Sequence, residues 1–504
     1  MNQRATPPSR PLASILVFST VVAGAMDAAL AAKPSPGPAT TGQWSPVYPW
    51  PDVAIHLHVL PDGRVLSYSD DDHPDYHVNG SRLEGQARAF LIDLPAGAPP
   101  GTVEEIPNTR TNLFCSGHSF LPDGRLLVMG GHKGRDGWGD TETNLLSYGT
   151  NYLWSPGPDM AEGRWYPTAV TLANGEVLVV SGAKDPDYTN NDLPEVYQTN
   201  STGTWRALSS ARRALPLYPY LHVAPNGRVF VAGPDATTLY LEASGSGAWS
   251  TVASRSGGFR DYGSSVLFDD GRVLVMGGGD PPTKIAEVID LRAASPVWRT
   301  VRTMRYARRQ TNATLLPDGK ILVTGGTSGG GFNNASGAVY TAEQWDPASE
   351  RWTTLASAQV GRLYHSTALL LPDGRVLSAG GGRPAGTNGG ADNENVEIFS
   401  PPYLFKGARP TIVSAPTTAS YGSTFFVETP DGTSVSSVTW VRLSTVTHGF
   451  NMGQRMNRLG FTRVTGGLQV TAPSDARLCP PGHYMLFLLN GNGVPSVARI
   501  VGIR

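Results

Sequence analysis

The sequence predicts an all-β protein in which one small sheet is repeated many times and is followed by a second β domain. Three observations predict this class: a short turn motif recurs seven times, only 16% of the 504 residues are charged, and turn formers are abundant, with Gly 59 and Pro 41. Chains of short strands and frequent turns fold as all-β proteins. The 11 Trp, 18 Tyr and 15 Phe residues can fill a large core, which excludes a disordered chain.

The turn motif has the form Pro-Asp-Gly-Arg between two apolar strands, and every variant keeps the glycine. Asp-Gly and Asn-Gly pairs supply the positive φ angles that tight hairpins require. The motif glycines, spaced 61, 51, 52, 44, 48 and 55 residues apart, are Gly63, Gly124, Gly175, Gly227, Gly271, Gly319 and Gly374. That period is typical of a four-stranded propeller blade. We therefore predict a seven-bladed kelch-like β-propeller over residues 44–407.

The repeat stops after residue 404, and a different pattern follows. Short alternating strands such as Thr424–Val427 and Tyr484–Leu489 occupy the last hundred residues. Short strands of this kind over about 100 residues are typical of a sandwich of two sheets. We predict a C-terminal immunoglobulin-like β-sandwich over residues 408–504.

The N-terminus has the pattern of an export signal. A basic start, an apolar run over Leu12–Met26 and the small residues Ala29-Leu30-Ala31 predict a signal peptide over residues 1–32, with a short linker over 33–43. The apolar run is shorter than the ~20 residues that a membrane span needs. We expect a secreted or periplasmic protein without a membrane span.

Charge excludes some partner classes. With 40 basic and 41 acidic residues the net charge is −1, so there is no basic footprint for nucleic acid and no polybasic patch for a membrane surface. We expect a monomer. Cys115 and Cys479 are the two cysteines, and a disulfide between them is the ordinary hypothesis for an exported chain.

Propeller blades place equivalent repeat positions around one channel, so the repeat itself predicts a site. Nine residues before each motif glycine stand Ala54, Cys115, Tyr166, Tyr218, Tyr262, Gln310 and His365, called here the ring residues. One position earlier stand Val53, Phe114, Trp165, Leu217, Asp261, Arg309 and Tyr364. Tyrosines at a blade start can be core residues with bonded hydroxyls. A cysteine and a histidine at the same position are harder to explain by packing.

Four segments resemble the copper-site segments of the galactose oxidase and glyoxal oxidase family of copper radical oxidases. They are Phe114-Cys115-Ser116-Gly117, Arg164-Trp165-Tyr166-Pro167, Arg362-Leu363-Tyr364-His365-Ser366 and Thr447-His448-Gly449-Phe450-Asn451, and they occur in the family's order. The resemblance implies one copper ion per chain, bound by Tyr166, Tyr364, His365 and His448. It also implies a Cys115–Tyr166 thioether, formed by self-processing, that carries a tyrosyl radical. Cys479 would then be a buried free thiol.

The implied activity is oxidation of a small aldehyde or primary alcohol by O2, with release of H2O2. Such a reaction removes two electrons, whereas copper cycles by one, and the sequence has no glycine fingerprint for a flavin. Imidazole and phenolate ligands suit Cu(II), while zinc cannot change its oxidation state. The resemblance implies that Tyr364 accepts the substrate proton and that the Tyr166 radical abstracts a hydrogen atom.

The remaining positions around the ring predict a substrate pocket formed by Phe114, Trp165, Tyr218, Tyr262, Arg309 and Gln310. Their polar groups suit a small, oxygen-rich substrate. The family's tryptophan over the cross-linked tyrosine is replaced by Lys184, so the cover would come from another residue, such as Trp138, or be absent. We expect that the N-terminal carbohydrate-binding domain of galactose oxidase is missing. We also expect the substrates to be small aldehydes such as glyoxal or methylglyoxal.

Two alternatives remain open at this point. One is an oxidase of surface glycans or galactose-type sugars. The other is a non-catalytic kelch-type binding protein, since a propeller alone does not decide function. A binding protein has no reason to place cysteine, tyrosine and histidine at one end of the channel, and its copper content would distinguish it.

Overall fold

The computed structural model describes residues 37–69, 87–134, 136–149, 151–199, 203–382 and 392–504, together with the short strands His77–Val78 and Ser81–Arg82. The predicted signal peptide lies outside the described residues. Among the described residues, helix is limited to Pro38–Thr41 and to the 3-10 turns Ser209–Ala211, Ala335–Gly337 and Pro402–Phe405, so the all-β prediction is confirmed. Within the described ranges, no helix is long and apolar enough to cross a membrane.

Most of the described chain folds into seven antiparallel sheets, numbered here in chain order. In the first six, four strands follow one another in the sequence and pair in that order. Their bounds are His56–Val59, Val65–Tyr68, Ala89–Ile92 and Val103–Glu105 in sheet 1; Gly117–Phe120, Leu126–Met129, Thr143–Leu146 and Trp154–Pro156 in sheet 2; Thr168–Thr171, Val177–Val180, Glu195–Gln198 and Thr204–Ala207 in sheet 3; Leu221–Val223, Val229–Val231, Thr237–Glu242 and Ala248–Ser254 in sheet 4; Ser264–Phe268, Arg272–Met276, Ala286–Asp290 and Trp298–Thr300 in sheet 5; Arg309–Leu315, Ile321–Thr327, Thr341–Asp346 and Arg351–Ser357 in sheet 6.

Sheet 7 combines the two ends of the repeat region. Its first three strands are Ser366–Leu370, Val376–Gly380 and Asn395–Ser400. The fourth strand is Gln43–Trp44, which pairs antiparallel with the third, and Tyr48–Pro49 pairs farther along the same strand. Trp44 stacks against Phe399 at 4.9 Å, and its indole N–H donates to the carbonyl of Ala356 at 2.9 Å. The start of the repeat region is thus bonded to its end.

A left-handed residue stands just before the first strand of each of these sheets, except in sheet 6, where it is the second residue of that strand. The φ angles of the seven ring residues lie between 44° and 66°, although none of them is glycine. A non-glycine residue in this region costs roughly 1–3 kcal/mol, so its surroundings must hold it there. Backbone hydrogen bonds between neighbouring sheets hold three of the ring residues in place. The N–H groups of Tyr166, Tyr218 and Gln310 donate to the carbonyls of the ring residues before them at 2.9, 2.9 and 2.6 Å.

In four of the sheets, a buried ion pair lies a few residues before the ring residue in the sequence and links two parts of the same sheet. An arginine preceding the first strand meets a glutamate of the third strand of the same sheet, and each side chain is at most 2% exposed. In sheets 3, 6 and 7 the arginine also donates to a carbonyl at the end of the second strand. The pairs, with N–O distances of 2.8, 2.5, 2.8 and 3.6 Å, are Arg164–Glu195, Arg260–Glu287, Arg308–Glu343 and Arg362–Glu397.

Residues after 408 form two further sheets. The five-stranded sheet has the order Thr418–Ala419, Arg499–Ile503, Gly482–Asn490, Val435–Arg442 and Met456–Leu459. The three-stranded sheet consists of Thr424–Glu428, Gly467–Thr471 and Phe461–Val464. Apolar side chains of both sheets, including Val427, Trp440 and Leu468, share one core cluster. This common core is what holds the two sheets together.

A hairpin leaves this region and joins sheet 1. Its strands are Thr445–Thr447 and Phe450–Asn451, and the first of them pairs antiparallel with His56–Val59, with Thr447 opposite His56. The turn between them holds His448 in a left-handed conformation with φ 49°. The hairpin therefore carries His448 next to the ring residues.

Candidate metal centre

The structure brings the four predicted copper ligands together. The Tyr166 hydroxyl contacts the Tyr364 hydroxyl and lies 2.8 Å from Nε2 of His448. The His365 ring stacks on Tyr364, with ring centroids 3.7 Å apart, and lies 4.7 Å from the His448 ring. Ligand atoms of Cys115, His365 and His448 all lie within 4.8 Å of one another. All five side chains are at most 8% exposed, so the candidate centre is buried.

Each histidine is oriented by a hydrogen bond through Nδ1. Nδ1 of His365 donates to the carbonyl of Gly382 at 3.1 Å, which leaves the lone pair of the neutral ring on Nε2. Nδ1 of His448 lies 2.7 Å from Oγ1 of Thr447, and its Nε2 faces Tyr166. Burial lowers the pKa of His448 well below its ordinary value. Neutral rings fixed in this way are the form that binds a metal ion.

The two phenols need a cation if they are to ionise. Burial raises the pKa of both Tyr166 and Tyr364 well above the ordinary value, so each keeps its proton in the absence of a metal. A divalent ion among them reverses this preference. Two imidazoles and two phenols in one buried cluster are a donor set that suits tetragonal Cu(II), so the residues fit a copper ion.

The two cysteines are both buried and form no disulfide with each other, so the hypothesis of a disulfide between them is wrong. Cys479 lies in the core of the C-terminal sheets, where burial raises the pKa of its thiol to about 11. Its prediction as a buried free thiol is confirmed. Cys115 precedes sheet 2, and its carbonyl accepts the N–H of Tyr166 at 2.9 Å. Cys115 and Tyr166 are therefore neighbours along the ring, joined by a backbone hydrogen bond.

A cavity of about 260 Å³ lies beside Tyr166 and His448. Three of the six residues predicted to form the substrate pocket, Trp165, Tyr218 and Tyr262, line it. Its other lining residues are Pro216, Leu217, Tyr220, Pro234, Phe259, Asp261 and Phe450. The walls are therefore largely aromatic, with few polar groups.

The other three predicted pocket residues do not line this cavity. Arg309 is buried behind it, paired with Asp261 and Asp280 at 3.0 and 3.1 Å, and its guanidinium lies 5.3 Å from the centroid of the Tyr262 ring. The positive charge of Arg309 is thus paired with these two carboxylates. Gln310 is buried. Phe114 stacks with the His132 ring at 5.8 Å and meets the His365 ring edge to face at 5.5 Å.

Trp165 is the indole that covers the Tyr166 ring. The centroids of the two rings are 3.8 Å apart and the planes are inclined by 53°. Lys184, at the position of the family's stacking tryptophan, pairs with Glu162 at 2.9 Å. Trp138, to which the sequence analysis pointed, is 39% exposed and has the Lys133 ammonium 6.0 Å from its ring. The suggestion of Trp138 was wrong, because the sequence neighbour of Tyr166 already occupies its face.

Several residues at the centre escaped the sequence analysis. Thr447 orients His448, and Asn333 accepts the backbone N–H of Tyr364 at 3.3 Å. Phe332 packs on Tyr364 with ring centroids 4.5 Å apart. His56 and His118, which the sequence left without partners, are bonded to each other at 3.2 Å, and His56 also accepts the N–H of Cys115 at 3.1 Å. The signal for His56 was its place two residues after the ring residue Ala54, at the start of the first strand of sheet 1.

Comparison with known proteins decides the family. A family model described as the glyoxal oxidase N-terminus matches residues 106–245 and 280–403, and a galactose oxidase-like early set domain matches residues 409–503. The chain belongs to the galactose oxidase and glyoxal oxidase family of copper radical oxidases.

Similar proteins come from fungi and plants. An aldehyde oxidase of Vitis pseudoreticulata is 31% identical over 440 residues, which cover 78% of this chain and 82% of that protein. A galactose oxidase of Gibberella zeae is 28% identical over 507 residues, covering 93% of this chain and 71% of the relative. The solved structure of a fungal alcohol oxidase in complex with copper has a TM-score of 0.80 at 25% identity, covering 92% of this chain and all of that one. The fold of this family member is thus that of a copper oxidase.

Replacing a predicted ligand histidine is expected to remove copper from this family member. Losing an outer hydrogen bond to a ligand typically costs about 10–100-fold in metal affinity, and losing a ligand should cost at least as much. We expect His365→Ala and His448→Ala each to weaken copper binding by about 100-fold or more, measured by metal analysis and chelator competition. His222→Ala is the control, because this buried histidine bonds to Ser265 at 2.7 Å and lies outside the centre. Unchanged affinity in both ligand variants would contradict the assignment.

Proposed function

We propose that the chain is an exported copper radical oxidase that oxidises a small aldehyde hydrate or primary alcohol and passes the electrons to O2 as H2O2. The observation that carries the proposal is the convergence of Tyr166, Tyr364, His365 and His448 beside a cavity. Copper bound by these residues would supply a one-electron couple and the route by which electrons reach O2. A non-catalytic binding protein gives no reason for this convergence.

The proposed architecture is a seven-bladed propeller over residues 44–407 and a sandwich over residues 408–504. Contacts between first strands support it: Ser366–Leu370 contacts both Arg309–Leu315 and His56–Val59, and Thr168–Thr171 contacts both Gly117–Phe120 and Leu221–Val223. In this arrangement the seven ring residues surround one end of a channel. Such a channel would be sealed on one side by the hairpin that carries His448.

The chain's own residues account for the movement of protons and hydrogen. A substrate hydroxyl in the cavity would lie beside the hydroxyls of Tyr166 and Tyr364. Tyr364, as a phenolate, accepts the hydroxyl proton as a general base. Tyr166, as a radical, takes one hydrogen atom from the substrate carbon and becomes a phenol. In sum, two electrons and two protons leave the alcohol, O2 takes them up, and the products are an aldehyde and H2O2.

The radical requires a modified tyrosine, which we propose is a thioether between Cys115 and Tyr166. One bond forms, from Sγ to a ring carbon, while the S–H bond and a ring C–H bond break. The two electrons and two protons pass to O2 and give H2O2. The placement of Cys115 supports this step, since it is fully buried, lies next to Tyr166 along the ring and has its sulfur within 4.8 Å of the histidine ligand atoms.

Cavity size and walls favour small substrates. A volume of about 260 Å³ is below the ~300–1,000 Å³ of pockets that take drug-sized ligands, and it suits a molecule of a few carbon atoms. The Trp165 and Tyr218 rings narrow it on the side of Tyr166, and Phe259 and Phe450 add apolar walls. We propose aldehydes such as glyoxal or methylglyoxal as substrates.

The test is a peroxide-release screen with the copper-loaded full chain. Its panel contains glyoxal, methylglyoxal, simple primary alcohols and galactose, and copper-free protein is the control. We expect one H2O2 per O2 consumed, with the highest kcat/KM on a small aldehyde. A preference for galactose would overturn the proposed substrate class, and no peroxide from any substrate by fully loaded protein would overturn the proposed oxidase.

A further inference from the structure

We propose that His56 is a positioning residue for the Cys115–Tyr166 thioether. By accepting the backbone N–H of Cys115, it holds this residue in the conformation that presents its sulfur to Tyr166. The proposal rests on the proposed function, because it presupposes the thioether. It assigns a role to a histidine that neither binds the metal nor touches the substrate cavity.

Cys115 differs from the ring residues Tyr166 and Tyr218 in the acceptor of its backbone N–H. Tyr166 and Tyr218 each donate their N–H to the carbonyl of the preceding ring residue. The corresponding acceptor for Cys115 would be the carbonyl of Ala54, but that oxygen accepts the hydroxyl of Thr367 at 2.7 Å. The N–H of Cys115 donates instead to Nε2 of His56 at 3.1 Å. A side chain thus replaces the backbone acceptor at the residue whose sulfur must react.

His56 is held rigidly enough to act as a fixed acceptor. Because its Nε2 accepts a hydrogen bond, the neutral ring carries its proton on Nδ1, which donates to Nε2 of His118 at 3.2 Å. Its ring stacks on Tyr68 with centroids 4.5 Å apart and planes inclined by 13°. The Tyr68 hydroxyl lies 3.3 Å from Oγ of Ser116, the residue after Cys115. His56 is therefore linked through Tyr68 to Ser116, which belongs to the segment that His56 positions.

The chemistry of the cross-link explains why position matters. A bond must form between Sγ of Cys115 and a ring carbon of Tyr166 as S–H and C–H bonds break and O2 takes up two electrons and two protons. Cys115 has φ 61°, an unfavourable conformation for a side-chain-bearing residue. Without His56 its buried N–H loses its acceptor, and the segment can relax away from this conformation. Fewer molecules then hold the sulfur at the reacting carbon, and cross-linking slows.

His58 provides a matched control on the same strand. It lies two residues beyond His56, on the same strand face, and is likewise fully buried. Its ring also stacks on Tyr68, at 5.3 Å. Among the residues that the structure describes, neither of its ring nitrogens has a hydrogen-bond partner. A substitution at His58 therefore repeats the change in packing without removing the acceptor for Cys115.

The experiment compares His56→Leu, His56→Gln and His58→Leu in the full chain. Each copper-free protein is loaded with copper in the presence of O2, and cross-linking is followed by the loss of two hydrogens in peptide mass and of one titratable thiol. We expect His56→Leu to cross-link about tenfold more slowly or worse, His58→Leu to match the parent and His56→Gln to recover part of the rate. Copper content and thermal unfolding are measured in parallel and are expected to agree between the two leucine variants.

The outcomes separate the proposals. A His56→Leu protein that cross-links at the parent's rate, or a His58→Leu protein that is slowed equally, overturns the role of His56 while the thioether stands. A parent protein that never cross-links overturns the thioether itself. If His56→Leu does not fold, His56→Phe gives the same test, because it keeps the ring on Tyr68 and also lacks an acceptor.

Discussion

Replacing Tyr166 with phenylalanine is expected to lower kcat by roughly 10³-fold or more. Its hydroxyl contacts Tyr364 and Nε2 of His448, so the change removes a proposed metal ligand and the proposed radical together. Losses of this size are typical when a group that acts directly in the chemical step is removed. The measurement is O2 consumption and H2O2 release at saturating substrate, expressed per bound copper so that lost metal is not counted as lost chemistry.

Tyr218→Phe is the matched control for this prediction. Tyr218 is a ring residue with φ 44°, lines the same cavity and has its ring 4.8 Å from His448. Its hydroxyl, however, donates to the carbonyl of Ser116 at 3.0 Å. We expect a change in kcat/KM of about threefold to tenfold, the size of one neutral hydrogen bond. A Tyr166→Phe protein that keeps a tenth of the parent rate per copper would contradict the radical role.

The second large effect is expected in stability, from Glu343→Ala. Glu343 is fully buried and accepts from the guanidinium of Arg308 at 2.8 Å and from the N–H of Arg305 at 2.6 Å. Removing the carboxylate leaves a buried cation without its counter-charge, which typically costs about 3–5 kcal/mol. We expect a loss of this size in the free energy of unfolding, measured by denaturant titration of the copper-free protein.

An exposed pair between sheets 5 and 6 gives the comparison. Glu350 forms a salt bridge with Arg299 at the surface, where an ion pair contributes at most about 1 kcal/mol, so Glu350→Ala should have little effect. The double variant Arg308→Met/Glu343→Leu should lose less than the sum of its single variants, because it leaves no lone charge. Equal losses from Glu343→Ala and Glu350→Ala would show that the buried pair does not stabilise the sheet.

The ring residues could be predicted from the sequence because the number of residues between each of them and the following hairpin glycine is constant. In every sheet the same number of residues separates the left-handed position from the hairpin glycine, so counting back nine residues finds it even where the loops between sheets differ. Cys115, Tyr166 and His365 follow from that register. His448 lies outside the repeat, and only the family resemblance pointed to it.

The remaining partners could not be predicted, because they depend on side-chain packing or on loops of variable length. The Arg–Glu pairs of sheets 3, 5 and 6 are separated by 31, 27 and 35 residues, so no fixed spacing reveals them. A histidine in an apolar strand, such as His56, looks the same in sequence whether it bonds a neighbour or fills space. The cover over Tyr166 was missed for a similar reason, since the orientation of Trp165 is set by its surroundings.

The path of the chain also sets when the centre can exist. Sheet 7 is complete only after residue 400 has met the strand at residues 43–44, and His448 arrives later still, on a hairpin that pairs with sheet 1. A chain still being made or exported from its N-terminus cannot gather all four ligands. On the proposed assignment, peroxide production therefore begins only after the hairpin that carries His448 has been made and has paired with sheet 1, so the topology itself delays a harmful activity.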